Sequence, residues 1–522
     1  MRRFAFSFSL LVALVAAGAA ARAASSGMAA DLHTLRTERA YDAARKQGLP
    51  ALHAFLVAMP KGADLHVHLS GAVYAESWLR AAGADGLCID TAALRFVPPQ
   101  PDKQCTAGQV AATQMLATMR QPASQTLYDR LIDSFSMRSF VPTSGWSGHD
   151  QFFATFSRFS GTSKTHAGEW IDEVATRAAS QNEQYLELMD TPPFAHAAKL
   201  AAQIGWDADL PALRQRLIDG GLFEEVEPAR TAVAAALKSR DQIEHCLTDR
   251  ALPGCTVTVR FLYQILRNAP PEQVFAQTLL GFETISRVPE FVGINFVQPE
   301  DAYFSMRDYT RQMQMLDYLH RLYPRVRISL HAGELASGLV PPDGLRFHIR
   351  QAVEIAHAER IGHGVDIMDE DNAQALLKEM AAHHILVEIN LTSNDVILGI
   401  RGRNHPLPDY LRAGVPVALS TDDEGVSRID LTHEYVRAAD EFGLSYADLK
   451  RMARASLEHD FLPGASLWAR ADHFTAPVAA CARQPLGGDK PSSACRSFLD
   501  ANPRAVQQWN LETRFRAFEA KW

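Results

Sequence analysis

The chain has 522 residues, 52 Lys and Arg against 60 Asp and Glu, a formal charge of -8, and 47% hydrophobic residues. Its basic residues are dispersed and form no stripe, which argues against nucleic acid as the main partner and favours a small molecule. The length allows one large core with additions, since the prior of about 150 residues per domain is soft for barrels.

Arg2 and Arg3 precede an apolar run, Phe4 to Ala20, that ends in Ala21-Arg22-Ala23, the pattern of a secretory signal peptide over 1–23. A membrane-spanning helix needs about 20 apolar residues and no cleavage site. Export to the periplasm or beyond is therefore the expectation, with no membrane partner after cleavage. Residues 24–59 read as a helical extension, with helix-like periodicity from Ala30 to Met59 and a break at Gly48-Leu49-Pro50.

The stretch "MPKGADLHVHL" then turns into a strand pattern and opens the unit expected to carry chemistry, 60–465. Further strand-like runs follow with amphipathic helices between them: "QYLELM" near 184, "TVTVRFLY" near 256, "FVGINFV" near 291, "RVRISLHAGE" near 325, "ERIGHGV" near 359, "HILVEIN" near 384 and "VPVALSTDD" near 415. Parallel strands need crossovers. Eight such units predict an α/β fold, a closed (β/α)8 TIM barrel with loop insertions. The alternative, an open doubly wound sheet, lacks a Gly-rich phosphate loop after any strand. Met306 to Leu322 reads as an outer barrel helix whose Met residues pack.

Two stretches, 84–110 and 471–500, are rich in Pro and Gly and read as loop excursions tied down by disulfides; 466–522 reads as a tail and helix packing on the barrel. The six cysteines fall into local pairs, Cys88 with Cys105, Cys246 with Cys255, and Cys481 with Cys495. An oxidising compartment invites these bridges, although sequence alone does not fix connectivity. No CxxC pair exists, which argues against a thiolate zinc site.

In "ADLHVHLSGA", His66 and His68 project to the same side of a strand. Alone, an HxH is close to what chance supplies, and two hydrogen-bonded core histidines are the plainer reading. Three more pieces change the balance: "SLHAGE" with His331 and Glu334, where Ala332 and Gly333 let the backbone approach a ligand; "RIGHGV" with His363; and "LSTDDEG" with Asp422 and Asp423. Each ends a predicted strand at its C-terminal side, where barrel enzymes place catalysis. His66, His68, His331 and Asp422 form a nitrogen and oxygen set that suits one Zn2+ per chain. Glu334 is the candidate general acid and base, His363 can orient or deprotonate a water, and Asp423 can hold a ring nitrogen or share a proton.

In order, and from about Met59 to Leu462, "MPKGADLHVHLSGA", "SLHAGE", "RIGHGV", "SNDVIL" followed by "NHP", and "LSTDDEGV" resemble metal-dependent amidohydrolases of the adenosine deaminase type, and within them the secreted adenosine deaminase-related growth factor branch. The resemblance implies zinc-dependent hydrolytic deamination of adenosine, 2'-deoxyadenosine or a related 6-aminopurine nucleoside to inosine and ammonia. It implies hydroxide attack at C6, Glu334 protonating N1, His363 steering the hydroxide and Asp423 binding N7. Two positions depart from the family pattern. Ser70 stands where many members carry an acidic residue thought to touch the ribose, and Gln298 where a glycine's backbone usually meets the purine. The stretch "SGWSGHDQFFATF" matches the family's lid, with Trp146, Phe152 or Phe153 as bases' stacking partners, although aromatics at this spacing are more often core; His149 reads as structural.

Other readings remain open at this stage. One is another mononuclear amidohydrolase acting on a modified adenine compound; a binuclear enzyme would want a lysine in "FVGINFV". A second is a secreted nucleoside-binding protein that has lost activity, disfavoured because every ligand and proton carrier is present. A cytidine deaminase would need PCxxC. Pairing of N-terminal helices into a homodimer is a further expectation.

Overall fold

The structure, a computed structural model, describes residues 32–522; the signal-peptide reading of 1–23 lies outside the described residues. Its strands are β1 (Gly62–His68), β2 (Cys88–Asp90), β3 (Arg95–Val97), β4 (Gln109–Ala111), β5 (Glu183–Asp190), β6 (Thr258–Leu266), β7 (Phe291–Val297), β8 (Arg327–Ala332), β9 (Arg360–His363), β10 (Leu386–Ile389) and β11 (Val417–Leu419). The eight expected strands form one sheet in the order β1-β5-β6-β7-β8-β9-β10-β11, and every neighbouring pair is parallel. A parallel bridge between Val67 and Asp422 closes the sheet into a barrel. Across that seam Asp422 N–H donates to His66 O and His68 N–H to Asp422 O, each at 2.9 Å. Strands covered on both faces carry continuous apolar runs instead of alternation, and β1 is buried along its whole length.

The helical extension has the expected break. A helix over 32–47 stops at Gly48, and Leu49–Ala58 restarts with Pro50 in its first turn, where a missing N–H costs nothing. Tyr41 anchors the first helix by donating to Leu444 O at 2.6 Å. At the other end of the chain, the helix Pro503–Glu519 lies against the starts of β5 and β6: Gln184 donates to Gln507 O at 2.8 Å and Arg514 to Glu183 O at 3.1 Å. The C-terminal helix thereby covers the barrel face opposite the strand ends that carry the histidines.

Three readings need correction or completion. Residues 84–110 are not a plain loop: β3, β2 and β4 form an antiparallel sheet, in strands too short for any periodicity to register. Met306 to Leu322 is not one helix but two, Tyr303–Arg307 and Tyr309–Leu322, separated at Asp308, whose carboxylate takes Arg307 and Arg311; Met313 and Met315 are buried as expected. All three local cysteine pairs are bonded. In the tail, Cys481–Cys495 belongs to a small satellite core with Leu467, Leu499 and Trp509. A bridge closing about 15 residues is worth on the order of 3 kcal/mol. Among the described residues no helix is long and apolar enough to cross a membrane.

Candidate active site

The four residues proposed as metal ligands arrive on two strands, β1 and β8, and on the turn after β11, and their donor atoms meet. His66 Nε2 and His68 Nε2 stand 3.1 and 3.2 Å from His331 Nε2, and 3.4 and 3.2 Å from Asp422 Oδ1. A tetrahedral ion with bonds of about 2.0–2.1 Å has ligand-to-ligand edges of about 3.3–3.4 Å. The four groups are buried, and Asp422 Oδ1 has no hydrogen-bond donor among the described residues. Lone pairs confronting one another around an orphaned carboxylate oxygen fit a divalent cation, and the residues present can hold one.

The opposite ring nitrogens fix the tautomers. His66 Nδ1 lies 2.6 Å from Glu388 Oε2, His68 Nδ1 3.0 Å from Gln264 Oε1, and His331 Nδ1 2.8 Å from Asn295 Oδ1. Each oxygen accepts an Nδ1–H, which leaves Nε2 with its lone pair toward the ion. Glu388 is held in turn by Arg360 at 2.7 Å and Ser329 at 3.1 Å. Sequence reasoning missed these three partners. Their signal was a polar residue inside an apolar barrel strand, in "FLYQIL", "FVGINFV" and "LVEI". Glu388→Gln is expected to weaken metal affinity about 10–100-fold while the barrel stays folded; competition with a calibrated chelator measures it, and unchanged affinity contradicts this role.

Glu334, His363 and Asp423 stand at the same rim. His363 Nε2 is 3.7 Å from Glu334 Oε1 and 4.0 Å from Asp422 Oδ2. Burial, and then the Asp422 charge, hold the carboxyls of Glu334 and Asp423 well above the usual range, while burial presses His363 down to about 4. The Asp423 carboxylate lies across Gly71, where a Cβ would fall 1.5 Å from Oδ1, so only glycine leaves it room. The turn after β8 is clamped by a residue the sequence did not announce. Glu300 accepts from Gly333 N–H at 3.1 Å and Glu334 N–H at 2.8 Å, and against burial the neighbouring Arg267 and His348 hold it down to about 2.

The expected substrate contacts fare differently. Ser70 sits directly beyond the ligands of β1, partly exposed. Gln298 takes a glycine-like φ of +87°, and its side-chain oxygen accepts from Asn268 N–H at 2.8 Å. The side chain is therefore held by the protein. Gly333 supplies a turn at φ +74°, with its N–H spent on Glu300 and its carbonyl on Val365 N–H, so its backbone is not offered to a ligand. In the lid stretch, Phe152 is core at 1% exposure, whereas Trp146 is 38% exposed. The helix Gly148–Arg158 is tied over the rim by His149, whose Nε2 lies 2.9 Å from Asp301 Oδ1.

A closed parallel barrel with a buried set of three histidines and one aspartate at its strand ends is of the amidohydrolase class. Within that class the chain belongs to the adenosine deaminase family, whose sequence profile, described as Adenosine deaminase, matches residues 171–471, more than half of the chain. Among curated relatives, an adenosine deaminase of Serratia proteamaculans is 38% identical over 138 residues, 26% of this chain and 38% of that protein. One of Clostridium perfringens is 29% identical over 181 residues, 34% of this chain and 51% of that protein. The chain thus spans about half or less of the length of these relatives. An amidohydrolase from Burkholderia ambifaria, solved with bound Zn, shares the fold at a TM-score of 0.53, with 17% identity, 90% of this chain and 95% of that chain covered. The family match begins beyond β1, yet β1 delivers two of the four converging donors.

Proposed function

We propose that the protein is a zinc-dependent hydrolase that deaminates a 6-aminopurine nucleoside, adenosine or 2'-deoxyadenosine foremost, to the 6-oxo product and ammonia. The observation that carries this reading is the meeting of His66, His68, His331 and Asp422 beside Glu334, His363 and Asp423 at one rim. Zinc, when bound, supplies Lewis-acid activation of water, bringing its pKa to roughly 7. Glu334, kept protonated by its burial, gives a proton to purine N1, which makes C6 electrophilic. Oxygen of water adds to C6, one of its protons passes back to Glu334 and the other to the amino nitrogen, the bond from C6 to that nitrogen breaks, and ammonia leaves. Asp423, protonated for the same reason, donates to N7, and His363 faces the attacking oxygen. Gln298 offers a backbone N–H to the base and Ser70 an uncharged hydroxyl to the sugar.

Support for the family comes from the profile match, and support for export from three bonded cysteine pairs, which persist in oxidising compartments. The growth-factor-like branch rests on the order of the motifs, and a homodimer through the N-terminal helices is part of the same proposal. Ammonia release from adenosine, 2'-deoxyadenosine, adenine and a thioether-substituted adenosine, measured beside metal content, tests the reading. The expected result is release from a nucleoside with near one zinc per chain. Zinc without ammonia from any of them favours the binding protein, and two metals per chain favour a binuclear enzyme.

A further inference from the structure

The "SND" and "NHP" motifs meet behind His363 and decide which of its nitrogens carries the proton. Leu407 N–H donates to His405 Nδ1 at 3.1 Å. A peptide nitrogen cannot accept, so His405 Nδ1 holds a lone pair and a neutral ring bears its proton on Nε2. His405 is neutral: burial, then the Arg437 charge, keep it down at about 3. As placed, Asn394 Nδ2 lies 2.8 Å from His405 Nε2 and Asn394 Oδ1 2.9 Å from His363 Nδ1, and the donor on His405 turns this amide over. The oxygen and nitrogen of an amide have nearly the same shape, so hydrogen bonding assigns them. A donor on His405 requires the Asn394 oxygen there and its NH2 toward His363; the reverse would set two donors against each other.

His363 Nδ1 is then an acceptor, and its ring proton resides on Nε2. Nε2 is the nitrogen that faces the rim, 4.0 Å from the Asp422 carboxylate and 3.7 Å from the protonated Glu334 carboxyl. Asn390 stands 3.4 Å from both ring nitrogens and favours neither.

We infer that Asn394 and His405 are positioning residues that lock His363 as the Nε2–H tautomer, making it a hydrogen-bond donor to the attacking oxygen and not the base that deprotonates it. The inference rests on the proposed deamination for its role, though not for the tautomer itself. The proton of the attacking water then passes to Glu334, ionised once it has protonated N1.

Neutron diffraction from deuterium-exchanged wild-type crystals reads the tautomer without reference to turnover. Deuterons on Nε2 of both His363 and His405 are expected, and a deuteron on His363 Nδ1 overturns the inference. In Asn394→Asp both arms become acceptors, which moves the His363 proton to Nδ1. Its kcat is expected to fall about 10²–10⁴-fold, as when a catalytic histidine is held in the wrong tautomer, with KM within about threefold and metal content unchanged. His405→Gln returns an N–H donor to Asn394 and is expected to recover more than about a tenth of wild-type kcat, whereas His405→Leu is not. Wild-type turnover in Asn394→Asp, or equal losses in both His405 variants, overturns it. Should Asn394→Asp fail to fold, the neutron map decides alone. Deuterons on Nε2 without ammonia release from any purine would sink the deaminase reading and leave the tautomer standing.

Discussion

Glu334→Gln is expected to keep its metal and lose most of its turnover. The substitution preserves size and leaves both clamping bonds from the Gly333 and Glu334 main chain to Glu300 in place. Glu334 is not among the four converging donors, so one metal per chain should remain. What the amide lacks is a transferable proton. A general acid is worth about 10²–10⁴-fold, and in the proposed deamination, where ring protonation renders C6 reactive, the loss should fall on kcat with little change in KM. Steady-state kinetics beside elemental analysis measure both. Turnover near wild type would remove Glu334 from the chemistry; parallel loss of metal would mean that the carboxyl serves the ion instead.

Asp422→Ala is the complementary case, in which metal and activity leave together. It deletes the oxygen that stands 3.4 and 3.2 Å from His66 and His68, and with it the anionic member of the set. Lewis-acid activation is worth several kcal/mol, so activity should fall by about 10³-fold or more at about 1.4 kcal/mol per decade. The main-chain bonds of residue 422 across the barrel seam do not depend on its side chain. Alanine at φ +59° adds a local cost of about 1–2 kcal/mol. Circular dichroism should therefore stay close to wild type while metal content collapses; full metal occupancy in the variant would contradict the assignment.

The barrel was legible because each of its strands is a short apolar run bracketed by helices, and because the polar groups at their ends broke that apolarity in a repeated place. Sequence showed where His66, His331, His363 and Asp422 lie along their own strands. It did not show what lies across the barrel from them: Glu388 reaches His66 from 322 residues away and Gln264 reaches His68 from 196. Such partners look like isolated polar residues in a core until the sheet closes. The β2–β4 sheet was illegible for another reason, since strands of three residues repeat nothing. The fold-back of the Gln298 side chain onto Asn268 N–H was illegible too, because its positive φ shows only in the structure.

The barrel seam joins the front of the chain to a segment near its end: Asp64 accepts from Thr421 N–H and its hydroxyl at 3.0 and 2.6 Å, across 357 residues. The docking of the last strand is thus what brings Asp422 to the three histidines. A chain still being synthesised, or one clipped before β11, holds only part of the donor set. A cation held by these four groups would act as a buckle between the two ends of the barrel.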